Sequence, residues 1–179
     1  MPRRTGRRRI SAVQVAPMAP EFIEGYWRAL DAVARERRYL TLLEAFPLPQ
    51  TRDFVLGLMA KGDAMFVVLA KGEVVGWCDI QRHAFPAHAH RGTLGIGIVR
   101  EYRGRGVGAL LMERTLRDAF GKGLVRIEFN VRADNLSAIR LYEKFGFVSE
   151  GVLRDAVFVD GEYHDAIVMA LVDQSRSRR

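Results

Sequence analysis

The stretch "EYRGRGVGALLMERTL", residues 101–116, places three glycines and two arginines directly before an apolar run with helical spacing. Because Gly104, Gly106 and Gly108 carry no Cβ, their backbone N–H groups can converge on one point. The helix that follows adds unpaired N-terminal donors and the positive end of its dipole. Arg103 and Arg105 could add charge-assisted hydrogen bonds. The segment therefore predicts a phosphate site, and a pyrophosphate would use these donors most fully.

Two other interpretations of this segment come from the residues themselves. A glycine-rich turn between a strand and a helix often reflects tight packing alone. Gly104, Gly106 and Ala109 also match the dinucleotide pattern G-x-G-x-x-[GA], and Glu128 lies about twenty residues later, where a ribose-binding acid is expected. Antiparallel strands precede the motif, however, and few residues remain for a doubly wound sheet. A nicotinamide-dependent oxidoreductase therefore stays open as an alternative.

Apolar periodicity around the motif predicts alternating helices and strands. Helical spacing marks residues 20–38, 49–62, 107–120 and 134–147, and strand-like runs lie at 64–70, 73–80, 92–99, 125–131 and 156–172. Lys71-Gly72 and Asp160-Gly161 separate pairs of strands, as is typical of hairpins. A chain of 179 residues is long enough for one core. We predict a single α/β domain with a mixed, mostly antiparallel central sheet flanked by helices.

The net charge of +7 is concentrated at the two ends of the chain. Five arginines within residues 3–9 and three within 176–179 carry slightly more positive charge than the net charge of the whole chain. The net charge of the remaining residues is therefore close to zero. Short charged termini are usually solvated. We therefore expect disordered basic tails at residues 1–10 and 174–179 around a domain at 11–173, and we expect no nucleic-acid partner.

The sequence argues against a membrane span, a disulfide and a metal centre. Its longest apolar runs, such as 65–70, are far shorter than a span, and the basic N-terminus lacks the apolar stretch of a secretory signal. Cys78 is the only cysteine, which agrees with a reducing compartment, and we expect a cytoplasmic protein. His83, His88 and His90 share one loop without a carboxylate or cysteine, so we expect that loop to be solvated or substrate-facing.

Two motifs together resemble the GCN5-related N-acetyltransferase (GNAT) superfamily. Arg103-x-x-Gly106-x-Gly108 follows the strand "LGIGIV", and "NLSAIRLYEKFGF" follows one strand later, an arrangement similar to the family's acyl-CoA signature. The resemblance covers residues 66–172, and the earlier residues fit the family's order of a strand, two helices and a strand hairpin. The hairpin "EGVLRDAVFVDGEYHD" is similar to small bacterial acetyltransferases that act on amino groups of small molecules or protein N-termini.

The resemblance implies an N-acetyltransferase with acetyl-CoA as cosubstrate and a primary amine as acceptor. It implies that the backbone of Ile98 and Val99 binds the pantetheine arm where neighbouring strands splay apart, and that Asn135 contacts the cofactor from the next helix. The loop implied to wrap the pyrophosphate comprises Arg103, Gly104, Arg105, Gly106, Val107 and Gly108. Similar proteins are often homodimers, although this sequence shows no interface. A non-catalytic acyl-CoA sensor is a second alternative.

Tyr142 is the residue for which the resemblance implies a catalytic role. An amine that attacks a thioester forms an oxyanion, which needs a donor such as the Val99 N–H, and then expels a thiolate that a nearby acid can protonate. A phenol, with a reference pKa of about 10, is protonated at neutral pH. Asn135 and Tyr142 lie two helical turns apart and so share a face. Without the motifs, Tyr142 would read as a boundary residue of an amphipathic helix.

The proton acceptor for an ammonium substrate stays open at this point. Asp79 in the "GWCDI" strand, Glu101 before the loop and Glu128 on the strand beside the cofactor site could serve directly or through water. Each also fits an ordinary surface or salt-bridged acid. Cys78 shows no pairing with a histidine, and its neighbours indicate burial, so we expect direct attack without a covalent enzyme intermediate.

Overall fold

The computed structural model describes residues 13–175. Its helices and strands are β1 (Val13–Pro17), α1 (Ile23–Ala34), α2 (Leu48–Lys61), β2 (Ala64–Ala70), β3 (Glu73–Arg82), β4 (Arg91–Ile98), α3 (Val107–Gly121), β5 (Arg126–Arg132), α4 (Leu136–Lys144), β6 (Val148–Val159) and β7 (Glu162–Val172). Among these residues, no helix has the length and apolar character to span a bilayer. The tail predicted at residues 1–10 lies outside the described residues, as do the three C-terminal arginines.

The seven strands form one sheet in the order β1-β2-β3-β4-β5-β7-β6. Within residues 13–175 each neighbouring pair is antiparallel except β4 and β5. The β2–β3 hairpin turns at Lys71 and Gly72, and the β6–β7 hairpin at Asp160 and Gly161; all four residues have positive φ, as a two-residue type I′ turn requires. The mixed, mostly antiparallel sheet predicted from the sequence is confirmed.

Each face of the sheet is covered by helices because side chains alternate along the strands. On one face, called here the α3 face, α3 and α4 pack against Phe66, Cys78 and Ile127. On the other, called the α1 face, α1 and α2 cover Val67 and Trp77. Both clusters are apolar and buried, so the middle of the sheet is closely packed on both faces and fixes the positions of the strands.

The parallel pair β4–β5 is joined only at its beginning. The two strands pair from Arg91 with Arg126 to Thr93 with Glu128. Beyond this point β4 continues to Ile98 and β5 to Arg132, but the two strands are no longer hydrogen-bonded to each other. Over the same length β4 stays paired with β3, and β5 with β7. The two strands therefore diverge and open a cleft in the middle of the sheet at their C-terminal ends.

Strand β6 is longer than the apolar pattern predicts. The pattern marks a strand from Ala156, whereas β6 begins at Val148. Register shifts between Ser149 and Gly151 and between Leu153 and Val157 interrupt the ladder, and residues 148–156 are exposed. Because bulges and exposure remove the two-residue alternation of a half-buried strand, the apolar pattern alone does not mark this part, whereas the family resemblance places it in a hairpin.

Candidate functional site

A cavity of about 370 Å³ occupies the cleft between β4 and β5. Its walls come from the end of α1 and the loop after it, the end of β4, the loop before α3, and α4 with the adjoining part of β5. The residues implied by the resemblance that line it are Ile98, Arg103, Gly104, Gly106, Gly108, Asn135 and Tyr142. Two motifs that are far apart in sequence thus meet around one cavity.

The loop before α3 presents backbone donors to this cavity. Gly104 and Gly106 have φ values of 68° and 81°, in the left-handed region where a Cβ is strained. The Gly106 carbonyl accepts the first bonds of α3, from Ala109 and Leu110. In the described part of the chain, the N–H groups of residues 104–108 have no hydrogen-bond acceptor. A row of unpaired N–H groups at a helix N-terminus fits an anionic group such as a pyrophosphate.

The other members of the loop divide between packing and solvent. A Cβ on Gly108 would lie 3.0 Å from Leu141 Cδ2 and 3.2 Å from Ile98 Cδ1, so glycine lets α3 approach α4 and β4 closely. Val107 is buried in the core. Arg105 is exposed, with its guanidinium carbon 5.9 Å from the centroid of the Tyr102 ring. For Val107, only its backbone can contribute to an anion site.

Successive residues of β4 direct their backbone N–H and C=O groups alternately towards β3 and towards the cleft. Val99 N–H donates to the Val75 carbonyl at 3.0 Å, so the odd-numbered residues of this ladder bond to β3. Ile96 and Ile98 therefore turn their N–H and C=O groups towards the cleft. The expectation that the Val99 N–H is a free oxyanion donor is corrected, because that N–H already bonds β3. Ile96, which the sequence did not single out, presents its backbone N–H to the cleft together with Ile98.

Arg103 holds the end of β4 to the loop after α1. Its Nε donates to the Ile98 carbonyl at 2.7 Å, and its Nη1 and Nη2 donate to the two carboxylate oxygens of Glu36 at 2.8 and 2.5 Å. The guanidinium carbon also lies 4.4 Å from the centroid of the Tyr39 ring. The hydrogen bonds from Arg103 hold the pKa of Glu36 below its ordinary value. The guanidinium predicted to face the pyrophosphate is therefore engaged with Glu36 and Tyr39.

Asn135 begins α4 as its N-cap. Its Oδ1 accepts from the Ala138 N–H at 3.4 Å and from the Ser137 hydroxyl at 3.3 Å. Such a cap satisfies one of the free donors at the start of a helix. Because Asn135 also lines the cavity, its Nδ2 group is available for a ligand while its oxygen fixes the helix.

Tyr142 lies on the inner side of α4, between the cavity and the core. Its ring centroid is 4.3 Å from that of Phe129 and 6.0 Å from that of Phe147. Burial raises the pKa of its hydroxyl, which therefore stays protonated at neutral pH. No described residue hydrogen-bonds the Tyr142 hydroxyl. Among the described residues, Arg91 Nε is the only fully buried side-chain N or O atom that lacks a hydrogen-bond partner. The Tyr142 hydroxyl, which also lacks a partner, is therefore not fully buried. Tyr142 thus offers the cavity a free proton donor.

The three candidate bases have different surroundings. Glu128 bonds Arg91 and Arg126; although burial opposes its ionisation, these two arginines together hold its pKa below the ordinary value. Glu101 is exposed in the short turn after β4. Asp79 is only 3% exposed, and burial raises its pKa to about 7.

The cysteine and the histidine loop carry no catalytic arrangement. Cys78 is fully buried, and that burial raises the pKa of its thiol. His83 Nε2 hydrogen-bonds the Thr93 hydroxyl at 3.0 Å and lies 3.9 Å from Glu128 Oε1. Within residues 13–175 no three His, Cys, Asp or Glu side chains are grouped as metal ligands.

Sequence reasoning missed Glu36, Tyr39 and Asn130. Tyr39 and Asn130 line the cavity, and Glu36 binds Arg103 from a position 67 residues earlier. No local pattern marks them, because each depends on which strand or loop the fold brings beside the motif. The sequence indicates them only by position: Glu36 and Tyr39 lie at or just after the end of the first predicted helix, and Asn130 lies on the strand before "NLSAIRLYEKFGF".

Comparisons with known proteins agree with this geometry. The model of the acetyltransferase (GNAT) family matches residues 24–147. The L-amino acid N-acetyltransferase of Escherichia coli is 35% identical over 112 residues, which are 62% of this chain and 69% of that protein. An N-alpha-acetyltransferase of Saccharolobus solfataricus is 31% identical over 150 residues, which are 79% of this chain and 86% of that protein.

Solved structures share the fold. A phosphinothricin acetyltransferase of Sinorhizobium meliloti, solved in complex with acetyl-CoA, has a TM-score of 0.84 at 15% identity and covers 89% of this chain and 88% of its own. A GNAT-family acetyltransferase of Streptococcus pneumoniae has a TM-score of 0.83 at 22% identity, with 90% and 99% covered. Neither the oxidoreductase nor the sensor alternative is supported. The chain belongs to the GNAT acetyltransferase family and is an acetyl-CoA-dependent N-acetyltransferase.

Proposed function

We propose that the acceptor is a small primary amine of amino-acid size, acetylated by direct attack on acetyl-CoA, and not the N-terminus of a protein. The observation that carries this proposal is a bridge across the open end of the cleft. Arg37, in the loop after α1, donates from Nε to Asp160 Oδ1 at 2.8 Å, and Asp160 lies in the turn between β6 and β7. The loop and the turn thus meet beyond the C-terminal ends of β4 and β5.

A second contact reinforces this bridge. Arg132, the last residue of β5, donates from Nη1 to the Arg37 carbonyl at 3.5 Å, and its Nη2 hydrogen-bonds His164 Nδ1 at 3.2 Å. Arg132 is itself held by Asp134 at 2.6 Å. An extended polypeptide crossing this end of the sheet would have to displace these contacts, whereas a small amine would not.

The names of the relatives alone do not choose between acceptor classes. They include an L-amino acid N-acetyltransferase of Escherichia coli and a spermidine N(1)-acetyltransferase of Vibrio cholerae, but also the N-alpha-acetyltransferase of Saccharolobus solfataricus. The bridge between Arg37 and Asp160 favours the first group. Because exposed ion pairs contribute about 1 kcal/mol or less, the bridge restricts the entrance without locking it.

For the transfer itself, we assign donor roles to residues that face the cavity. The N–H groups of Ile96 and Ile98 would bind the pantetheine arm and the developing oxyanion, because they point into the cleft where β5 has diverged. The N–H groups of residues 104–108 would bind the pyrophosphate. The Tyr142 hydroxyl would protonate the departing thiolate, since its raised pKa keeps it a donor at neutral pH.

A thiol-release assay tests the acceptor class. Purified protein is given acetyl-CoA with amino acids, spermidine, phosphinothricin, or peptides with free N-termini. We expect CoA release with one or more small amines and at least about tenfold lower kcat/KM with peptides. Arg37→Ala opens the bridge and should raise the relative activity on peptides, whereas Arg28→Ala, which breaks an exposed pair with Glu24 on α1, should not. Preferred acetylation of peptides by the unmodified protein would contradict the proposal.

We also propose a cytoplasmic homodimer that pairs through β6. This strand is one of the two edges of the sheet, and its hairpin exposes Val148, Val152, Phe158 and Tyr163. A long edge strand with exposed apolar side chains can pair with a second copy. Light scattering after size exclusion should give twice the chain mass, and Val152→Lys should give a monomer. A monomeric unmodified protein at micromolar concentration would contradict the dimer.

The buried Cys78, which forms no disulfide, supports the proposed reducing compartment, and cell fractionation tests this location.

A further inference from the structure

Three residues form a row across the sheet at the point where the cleft opens. In the β3–β4 register, Asp79 pairs with Gly95. The β4–β5 register ends at Thr93 and Glu128, and its continuation brings Gly95 level with Asn130, two residues further along each strand. Asp79, Gly95 and Asn130 therefore lie side by side on β3, β4 and β5, with the gap between Gly95 and Asn130.

The side chains of this row point to the face opposite the predicted proton donor. Cys78 and Ile80 pack into the core of the α3 face, so Asp79 between them points to the α1 face. Phe129 packs against Tyr142 on the α3 face, so its neighbour Asn130 also points to the α1 face. The cleft is thus lined by Tyr142 on one face of the sheet and by Asn130 on the other, and Asp79 lies on the same face as Asn130.

Gly95 leaves the space between Asp79 and the gap free of any side chain. A Cβ on Gly95 would lie 3.0 Å from Asp79 Oδ1 and 3.4 Å from Oδ2, so the carboxyl group leans over this glycine towards β5. Gln81 Nε2 donates to Oδ2 at 3.2 Å, and no donor in the described part of the chain reaches Oδ1. Asn130 is exposed and lines the cavity. The strand register therefore places Asp79 and Asn130 on the same face of the sheet, on either side of Gly95, with Asp79 behind the residues that line the cavity.

The ionisation of Asp79 suits a proton acceptor at neutral pH. Burial is the main cause that raises the pKa of Asp79 to about 7. The hydrogen bond from Gln81 lowers this pKa, and the negative charge of Asp63 raises it further. The titratable groups around it are Tyr26 from α1, Asp63 before β2 and the adjacent Cys78. No cation of the described residues pairs with it, whereas Glu128 is neutralised by Arg91 and Arg126. A base with a pKa near the working pH is the most effective.

We propose that Asp79 is the general base of the transfer and that Asn130 positions the acceptor's ammonium group beside it. This inference rests on the proposed transfer to a primary amine. An N–H bond of the ammonium breaks and its proton moves to Asp79 Oδ1. The freed lone pair forms the new N–C bond at the thioester carbon, the C–S bond breaks, and the thiolate takes the proton of the Tyr142 hydroxyl. The nitrogen loses its second excess proton as the neutral amide forms, and this proton restores the Tyr142 hydroxyl. The proton held by Asp79 passes to solvent before the next turnover.

The pH dependence of kcat/KM for the amine tests this assignment. In the unmodified protein, kcat/KM should rise through an inflection near pH 7 and then level off until the acceptor itself deprotonates. Asp79→Asn keeps the shape and the bond to Gln81 but removes the base, so we expect kcat to fall about 10²-fold or more near neutral pH. Its kcat/KM should then rise with unit slope up to the acceptor's own pKa, because only free amine can react. The acetyl-CoA dissociation constant should stay within about twofold in both proteins.

Two further variants separate a base from a structural carboxyl. Asp63→Asn removes a charge that raises the pKa of Asp79, so the inflection should move to lower pH while the plateau kcat is kept. Gly95→Ala keeps the carboxyl group but places a methyl group 3.0 Å from its Oδ1, so the carboxyl must shift and its path to the gap is obstructed. We therefore expect kcat to fall with acetyl-CoA affinity unchanged.

The outcomes are distinguishable from failure of the proposed function. If the unmodified protein acetylates no small amine, the proposed function is wrong and this inference is wrong with it. If the unmodified protein is active and Asp79→Asn keeps the inflection near pH 7 with a kcat within about threefold, the base is another group. An unshifted inflection in Asp63→Asn would equally overturn the assignment to Asp79.

Discussion

At the scale of single residues, the Tyr142 hydroxyl is a proton donor that the fold itself does not need. It has no hydrogen-bond partner among residues 13–175, while its ring packs on Phe129. Tyr142→Phe should therefore leave the free energy of unfolding within about 1 kcal/mol, because no bonded partner is lost. We expect kcat to fall about 10²-fold and acetyl-CoA affinity to change little. Steady-state kinetics and calorimetric titration check this, and an equal loss of rate and affinity would make the tyrosine structural.

Arg103 gives a second prediction at this scale, because its guanidinium joins Ile98, Glu36 and Tyr39. Arg103→Ala should weaken acetyl-CoA binding, since the end of β4 loses its fixed position, and should lower the free energy of unfolding by about 2 kcal/mol. Arg103→Lys tells the two possible roles apart. A lysine could still bind a pyrophosphate but cannot bond Glu36 with two parallel donors. Retained affinity in Arg103→Lys, measured by titration with CoA, would contradict the role in holding β4.

At the scale of the elements, the loop before α3 depends on backbone conformation. Gly106→Ala places a Cβ at φ 81°, which costs about 1 kcal/mol of stability, and brings a methyl group to the proposed anion site. Gly123 has φ 88° at the end of α3, outside the lining of the cavity, so Gly123→Ala is a control with matched strain. Both variants should lose similar stability in denaturant, but only Gly106→Ala should lose about tenfold or more in acetyl-CoA affinity. Equal affinities would exclude the loop from the cofactor site.

The elements also explain what could be predicted from the sequence. The hairpin turn at Lys71-Gly72 and the turn at Gly104 and Gly106 have local causes, because residues in these short segments adopt positive φ. The sequence therefore predicts both turns correctly, and the binding of an anion at the second stays a prediction. The pairing of Asp79 with Gly95 depends on strand register, and the contact of Arg103 with Glu36 joins residues 67 apart. Such contacts are set by the assembled sheet, which a single sequence does not encode in any local pattern.

At the scale of the whole molecule, the buried carboxyl of Asp79 makes stability depend on pH. Burial raises its folded pKa from 3.8 to about 7, so between these values only the folded protein keeps the proton. Its contribution is therefore fully present below about pH 4 and is lost progressively as the pH rises to about 7, with a slope of at most about 1.4 kcal/mol per pH unit. Asp79→Asn should remove this decline. Urea unfolding from about pH 5 to about pH 8 measures it, and identical slopes in the two proteins would contradict it.

Every role assigned above depends on the cleft between β4 and β5 holding acetyl-CoA for transfer to an amine. The most direct measurement is mass spectrometry of small primary amines after incubation with isotopically labelled acetyl-CoA, with free CoA measured in the same samples. We expect a labelled N-acetyl product in amounts equal to the CoA released, and we expect this product to be lost in Gly106→Ala at low acetyl-CoA concentration. Binding of NADH without binding of acetyl-CoA, or acetyl-CoA binding with no labelled amide from any amine, would contradict it.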